Sequence, residues 1–286
     1  MPDITLVTGA TGTVGREVVR QLLARGDQVR ASGRASSRPA FLGSADYTVF
    51  DFDNPETAAA AFKGVQRMFL LTPLDERMVQ VGRGLVGQAK ASGIELIVRL
   101  SVMGAGGFPA TKLARAHRAV EEAIEASGLP YTFLRPNAFM QNYLTAFGNS
   151  IRRQGLLAMP QGRGAVSLVD ARDVAAVAVA ALSDPIHQGR AYELTGAEAL
   201  SNDEVAEILS ESSTRRIRYV AMPEAGARKA LLGQDMPNWL VEVLLELYAI
   251  SRQGMAARVS SAIQEVLGRP PTSFRQFAMD YADYFR

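Results

Sequence analysis

The chain has 286 residues, 48% hydrophobic and 21% charged, enough for one large domain or for one domain carrying a smaller lobe. Thirty-one Lys and Arg against 29 Asp and Glu leave a formal charge of +2, and the pI of about 9.0 reflects arginine, since Lys63, Lys90, Lys112 and Lys229 are the only lysines. These values exclude a dense nucleic-acid stripe, a disulfide or thiolate metal site in a chain without cysteine, and a span of eighteen apolar residues.

In chain order, strands are expected at Ile4–Thr8, Gln28–Ser32, Tyr47–Phe50, Arg67–Thr72, Leu96–Ser101 and Tyr131–Leu134. Helices are expected between them at Val14–Ala24, Pro55–Phe62, Arg77–Ala91 and Lys112–Ala126. Gly26, Gly64, Gly93 and Gly128 each follow a helix, where a left-handed cap favours glycine. The runs MFLLT and ELIVRLS are continuous and apolar, as strands buried on both faces are. This alternation predicts an α/β fold with a doubly wound parallel sheet.

After Arg135 the rhythm changes. Asn137–Gly148 and Ser150–Gly155 read as helical or irregular, Ala165–Val169 as a strand, Arg172–Leu182 as an alanine-rich helix and Ala191–Leu194 as an edge strand. Helices follow at Ser201–Glu211, opened by a Ser201/Glu204 capping box, and at Pro223–Leu232, Pro237–Ile250 and Thr272–Phe285, with a strand at Ile217–Ala221. The expected organisation is a nucleotide-binding domain over 1–195, with lobe insertions around 137–165. A small, mostly helical C-terminal substrate lobe over 196–286 is expected to cover the open edge of the nucleotide cleft.

The strand Ile4–Thr8 runs into Gly9, Gly12 and Gly15 and then a helix. The first glycine permits a sharp turn, the second lets backbone approach a pyrophosphate, and the third lets the helix pack near the strand. The helix N-terminus then faces the phosphates, so Thr8, Gly9, Thr11, Gly12, Thr13, Val14 and Gly15 are the expected cradle. With Thr8, Ala10 and Thr11 in place, this G-x-x-G-x-x-G spacing resembles the short-chain dehydrogenase/reductase superfamily, built on the Rossmann fold.

The end of the second strand reads Ala31-Ser32-Gly33-Arg34, without the acid that holds an NAD ribose. Arg34, with Arg38, Ser36 and Ser37 nearby, instead suits a 2′-phosphate, which points to NADPH/NADP+. The resemblance places Asp51 at the adenine edge, with Phe52 beside it. It places Leu71, Thr72 and Pro73 along the ribose and diphosphate, and Ser101 beside the nicotinamide.

Reductases of that superfamily carry Tyr-x-x-x-Lys on the helix after the fifth strand, the phenol acting as acid. Aligned on Glu121, this chain has His117 at the lysine position and Leu113 at the tyrosine position. The segments Ala116–Glu121, Ser127–Asn142, Val169–Ala175, Tyr192–Gly196 and Ala249–Gly254 resemble the NmrA-like atypical members, most of all the reductases of triphenylmethane dyes and quinones. The resemblance implies that His117 lies near the nicotinamide ribose and that Pro136, Asn137 and Phe139 border the nicotinamide pocket. His117 and Asn137 are the catalytic candidates. Asp173 reads as a helix cap and dipole partner, and Glu121 as structural.

Hydride transfer to a quinone or a cationic dye needs a positioned acid less than transfer to a ketone does. The expected activity is therefore an NADPH-dependent oxidoreductase acting on a small planar or conjugated acceptor. Met103, Phe108, Phe139, Tyr143 and Trp239 are the candidate acceptor-binding residues. The alternatives are an NADP(H)-binding redox-sensing regulator without turnover and a pathway-specific reductase or isomerase. A cytoplasmic monomer or homodimer is expected, with no nucleic-acid, membrane or metal partner; His117 and His187 lack ligand spacing.

Overall fold

A computed structural model describes residues 3–286. Nine strands and thirteen α-helices follow in chain order among these residues. They begin with β1 (Ile4–Val7), α1 (Thr13–Ala24), β2 (Gln28–Gly33), β3 (Asp46–Val49), α2 (Pro55–Phe62), β4 (Arg67–Leu70), α3 (Met78–Ala91), β5 (Leu96–Leu100), α4 (Lys112–Ser127) and β6 (Tyr131–Pro136). Next come α5 (Asn142–Thr145), α6 (Gly148–Gln154), β7 (Leu156–Met159), α7 (Ala171–Ser183), β8 (Arg190–Leu194), α8 (Asn202–Ser213) and β9 (Arg218–Ala221). The chain closes with α9 (Glu224–Leu232), α10 (Asn238–Arg252), α11 (Ala262–Leu267), α12 (Phe274–Asp280) and α13 (Ala282–Phe285).

Seven strands form one sheet in the order β3-β2-β1-β4-β5-β6-β8, and the pairs from β3 across to β6 are parallel. The chain winds outward from β1 to β3, then returns to β4 on the other side of β1. The C-terminal ends of β1 and β4 are therefore the topological switch point, where open α/β sheets bind ligands. Thr8 closes this junction. Its N–H donates to the Phe69 carbonyl at 3.1 Å, and its hydroxyl accepts from the Leu71 N–H at 2.7 Å.

The strands are short apolar runs because both faces are covered: Leu6, Val7, Met68, Phe69, Leu70, Ile97 and Val98 are all fully buried. Helix α1 buries Val14, Val18, Val19 and Leu22, a stripe at helical spacing. A Cβ at Gly82 of α3 would lie 2.7 Å from Val120 Cγ2 of α4, so the glycine sets how closely those two helices approach. Gly26, Gly64, Gly93 and Gly128 all adopt positive φ, as their positions after helices required.

The chain gathers into two compact units. The first comprises residues up to Gly106, Ala114–Arg135 and Val174–Glu193; the second comprises Gly107–Leu113, Pro136–Asp173 and Leu194–Arg286. The second thus draws in 107–113 as well as 136–173, a longer insertion than the 137–165 read from the sequence. Its core joins Tyr143, Ile151, Leu157, Val205, Leu209, Phe274, Phe277 and Phe285.

Several local expectations are corrected. Ala165–Val169 is no strand: the N–H groups of Val166, Ser167 and Val169 go to Leu200, Ala256 and Ala138, three separate segments, so no ladder forms. The second unit's small sheet instead pairs β7 with β9 in parallel. β7 and α11 were not foreseen, and the expected last helix is broken at Tyr281 into α12 and α13. Asp170, not Asp173, caps α7, accepting the Arg172 N–H at 2.8 Å. Asp173 lies in the first turn, where its carboxylate still faces the helix dipole, and holds Arg269 and the Thr272 N–H at 2.7 and 2.6 Å. The Ser201/Glu204 capping box is present. No described helix is long and apolar enough to cross a membrane.

Candidate active site

The glycine turn leaves β1 and enters α1. Gly9 has φ +62, and the Gly12 N–H donates to its carbonyl at 2.9 Å. A Cβ at Gly15 would lie 2.2 Å from the Gly9 carbonyl oxygen, so only glycine allows α1 to start this close to the strand. Gly12 is the N-cap of α1 and no side chain caps the helix, whose first N–H groups are left for a ligand. A turn with glycine at Gly9, Gly12 and Gly15, an uncapped twelve-residue helix and the switch point together fit a dinucleotide pyrophosphate.

Other expected nucleotide contacts also belong to the first unit. The Thr11 methyl packs near Gly33 at the end of β2, and Leu71 packs beside Gly9. Arg34, just past β2, is exposed and makes no hydrogen bond among the described residues, leaving its guanidinium for an anion. Arg38 donates to the Ala45 carbonyl at 3.3 Å. The Asp51 carboxylate accepts the Asp53 N–H at 3.0 Å, while Phe52 packs edge-on against Phe50, ring centres 5.0 Å apart. Asn54 caps α2, its side-chain oxygen accepting the Glu56 N–H at 3.1 Å. Thr13 and Pro73 are half-buried, whereas Val14 faces the core. Thr8 is fully buried and holds the strand junction, so its hydroxyl serves the turn's architecture.

Beneath the ends of β4 and β5 lies a polar cluster inside an apolar sheet. Arg99 of β5 is fully buried. Its Nη2 lies 3.2 Å from His117 Nδ1 of α4, and both its Nη atoms are 3.4 Å from Thr72 Oγ1. Its Nε has no hydrogen-bond partner. Burial pulls the guanidinium down to about 10, against the pull of Glu121, and it remains charged at neutral pH. Burial, then the Arg99 charge, pushes His117 well below its ordinary value.

One helical turn on, Glu121 is fully buried and receives Arg135 on both oxygens, at 3.0 and 2.6 Å. Ser101 Oγ donates to it at 2.6 Å and Arg118 Nη1 at 3.2 Å. Burial alone would raise this carboxyl, but the hydrogen bonds from Arg135 and Ser101, the Arg135 charge and the Arg118 bond hold it below its ordinary range. Ser101, expected beside the nicotinamide, thus directs its hydroxyl to Glu121. Leu113, where a tyrosine acid would stand, is buried.

Of the expected acceptor-binding residues, Met103 of the first unit is half-buried. In the second unit Phe139 and Trp239 are half-buried, and Phe108 is 76% exposed. Tyr143 is instead a core residue: its ring packs edge-on against Phe274, 5.2 Å between centres, and its hydroxyl donates to Asn202 at 3.0 Å. Pro136 is buried. The amide of Asn137 donates to Ser167 Oγ at 2.8 Å and to the Ala256 carbonyl at 2.9 Å, while its oxygen accepts the Ala138 N–H. That side chain ties three segments together and has no donor left for chemistry, because an amide carries two N–H groups.

Arg99 is the residue that sequence reading missed. The signal was there, a charged side chain inside ELIVRLS, because a buried parallel strand tolerates one only when its charge is used. Among the described residues, no group of three or more His, Asp or Glu is placed to hold a metal ion.

Sheet order, switch point and glycine turn define the Rossmann class of α/β protein. Within it, the model of the NmrA-like family matches residues 2–277, and the chain belongs to that family. The NAD(P)H azoreductase of Xenophilus azovorans is 38% identical over 282 residues, 98% of each chain. Among solved structures, the Escherichia coli NADPH-dependent quinone oxidoreductase QOR2, complexed with NADPH, is 27% identical, with a TM-score of 0.82 over 97% of this chain and 99% of that one. The triphenylmethane reductase of Citrobacter sp. is 25% identical, with a TM-score of 0.84 over 98% and 99%.

Proposed function

We propose that the chain is an NAD(P)H-dependent oxidoreductase that reduces a small planar or conjugated acceptor, such as a quinone, without a tyrosine acid. The observation that carries this reading is the uncapped start of α1 behind Gly9, Gly12 and Gly15 at the switch point. The azoreductase and quinone oxidoreductase relatives, similar over nearly their whole length, support the same class of reaction. Arg34, exposed at the end of β2 where an NAD-binding acid would stand, favours the phosphorylated nucleotide.

When bound, the dinucleotide supplies hydride from its reduced ring. The chain's own part is to hold the phosphates with the first N–H groups of α1, to hold the 2′-phosphate with Arg34, and to orient the reacting ring. α4 contains no tyrosine, and Leu113 offers no proton. This suits an acceptor that needs no acid from the protein: a cationic dye is neutralised by hydride alone, and a reduced quinone is protonated by water.

NADPH oxidation against quinones, azo dyes, cationic triarylmethane dyes and enones, with NADH as control, tests the reading. Acceptor-dependent loss of the reduced-nicotinamide absorbance is expected, faster with NADPH. Measurable nucleotide binding with no turnover across the panel would favour the regulator instead.

A further inference from the structure

Arg99 and His117 meet in the first unit, both buried, one from the middle of the sheet and one from α4. A guanidinium carries five N–H donors and no acceptor. The 3.2 Å approach of Arg99 Nη2 to His117 Nδ1 is a hydrogen bond only if Nδ1 holds a lone pair. A neutral imidazole then has its proton on Nε2, and an imidazolium would set N–H against N–H. Nε2 makes no hydrogen bond among the described residues.

We propose that Arg99 is a positioning residue that locks His117 as the neutral tautomer with its proton on Nε2. The site thereby keeps a permanent hydrogen-bond donor at that atom. The charged groups around the imidazole act together. Arg99 approaches from β5, Thr72 contributes a hydroxyl from the end of β4, and Glu121 on the same helix is held by Arg135 of β6, Ser101 and Arg118. Glu121 is therefore engaged elsewhere and does not draw a proton onto the ring. Burial and the Arg99 charge both oppose imidazolium.

A donor-only imidazole recognises an oxygen lone pair, and it cannot act as a general acid, because losing the Nε2 proton would leave an imidazolate. What Nε2–H binds rests on the proposed function, in which the partner is an oxygen of the reduced dinucleotide or of the acceptor. The lock itself does not rest on that reading.

The chain has two histidines, so nitrogen-15 histidine NMR of the full protein without nucleotide reads the lock directly, with His187→Gln to separate the signals. For His117 we expect a pyrrole-type Nε2, a pyridine-type Nδ1 and no titration between about pH 5 and 8. Arg99→Lys, which keeps a charged donor, should retain the pattern. Arg99→Met should release it, giving mixed tautomers. A protonated Nδ1 or a titrating His117 in the wild-type chain overturns the proposal, whether or not the variants fold. So does an unchanged tautomer in a folded Arg99→Met protein. Because no nucleotide is present, loss of turnover in the acceptor panel and loss of the lock are separate results.

Discussion

Arg135 Nε and Nη2 grip the two oxygens of Glu121 at 3.0 and 2.6 Å, a forked ion pair between β6 and α4 with Ser101 as a third donor. The carboxylate is fully buried, and Arg135 is largely so. Glu121→Gln would leave the guanidinium without its counter-charge in a low-dielectric interior. We expect a loss of about 3–5 kcal/mol in unfolding free energy by urea titration, because removing one partner of a buried pair exposes the desolvation penalty of the other.

The same interior makes the protein sensitive to acid. Folded His117 stays neutral, whereas the unfolded chain takes up a proton there as pH falls below about 6.5. The unfolded state then binds more protons, so stability declines with falling pH, by up to about 1.4 kcal/mol per pH unit until the folded value is reached. Glu121, held below its ordinary 4.5, adds stability that is present above about pH 4.5 and lost as pH falls through its folded value. Melting temperatures from pH 8 down to about pH 2 should show both phases in the wild-type chain and only the lower one in His117→Gln.

Gly15→Ala tests the turn. Its Cβ would meet the Gly9 carbonyl oxygen at 2.2 Å, so α1 must move away from β1. Overpacking of this kind costs about 1–3 kcal/mol, and displacement of the α1 N-terminus should weaken NADPH at least tenfold by fluorescence titration.

Arg34→Glu tests the choice of nucleotide. It replaces a donor with a charge that repels a 2′-phosphate, so NADPH affinity should fall tenfold or more, about 1.4 kcal/mol or more, with NADH little changed. Unchanged NADPH affinity would remove the basis for preferring the phosphorylated form.

Tyr143→Phe separates core from pocket. The phenol bonds Asn202 inside the second unit, so the variant should lose about 1 kcal/mol of stability and keep the acceptor KM of the wild-type chain.

The sheet, its helices and the glycine turn were legible in the sequence. Apolar runs of four to six residues, helical stripes and glycines at helix ends are local signals, and each fixes backbone geometry within a few residues. Beyond Arg135 local signals gave less. Leu156–Met159 is a strand only because β9 lies beside it, and Val166–Val169 is none because its N–H groups have separate partners. Tyr143 and Asn137 looked available for chemistry as residue types; packing takes Tyr143 into the core, and hydrogen bonds to Ser167 and Ala256 occupy the half-buried Asn137 amide.

The Rossmann architecture and a helix lacking a tyrosine follow from residue spacing along single elements and can be read from the chain alone. The state of His117 follows from contacts that exist only in the folded protein. Eighteen residues separate it from Arg99 in the chain, and parallel winding with a crossover brings Nδ1 to within 3.2 Å of a group that can only donate. Protonation depends on such through-space partners and on burial, which no local pattern encodes.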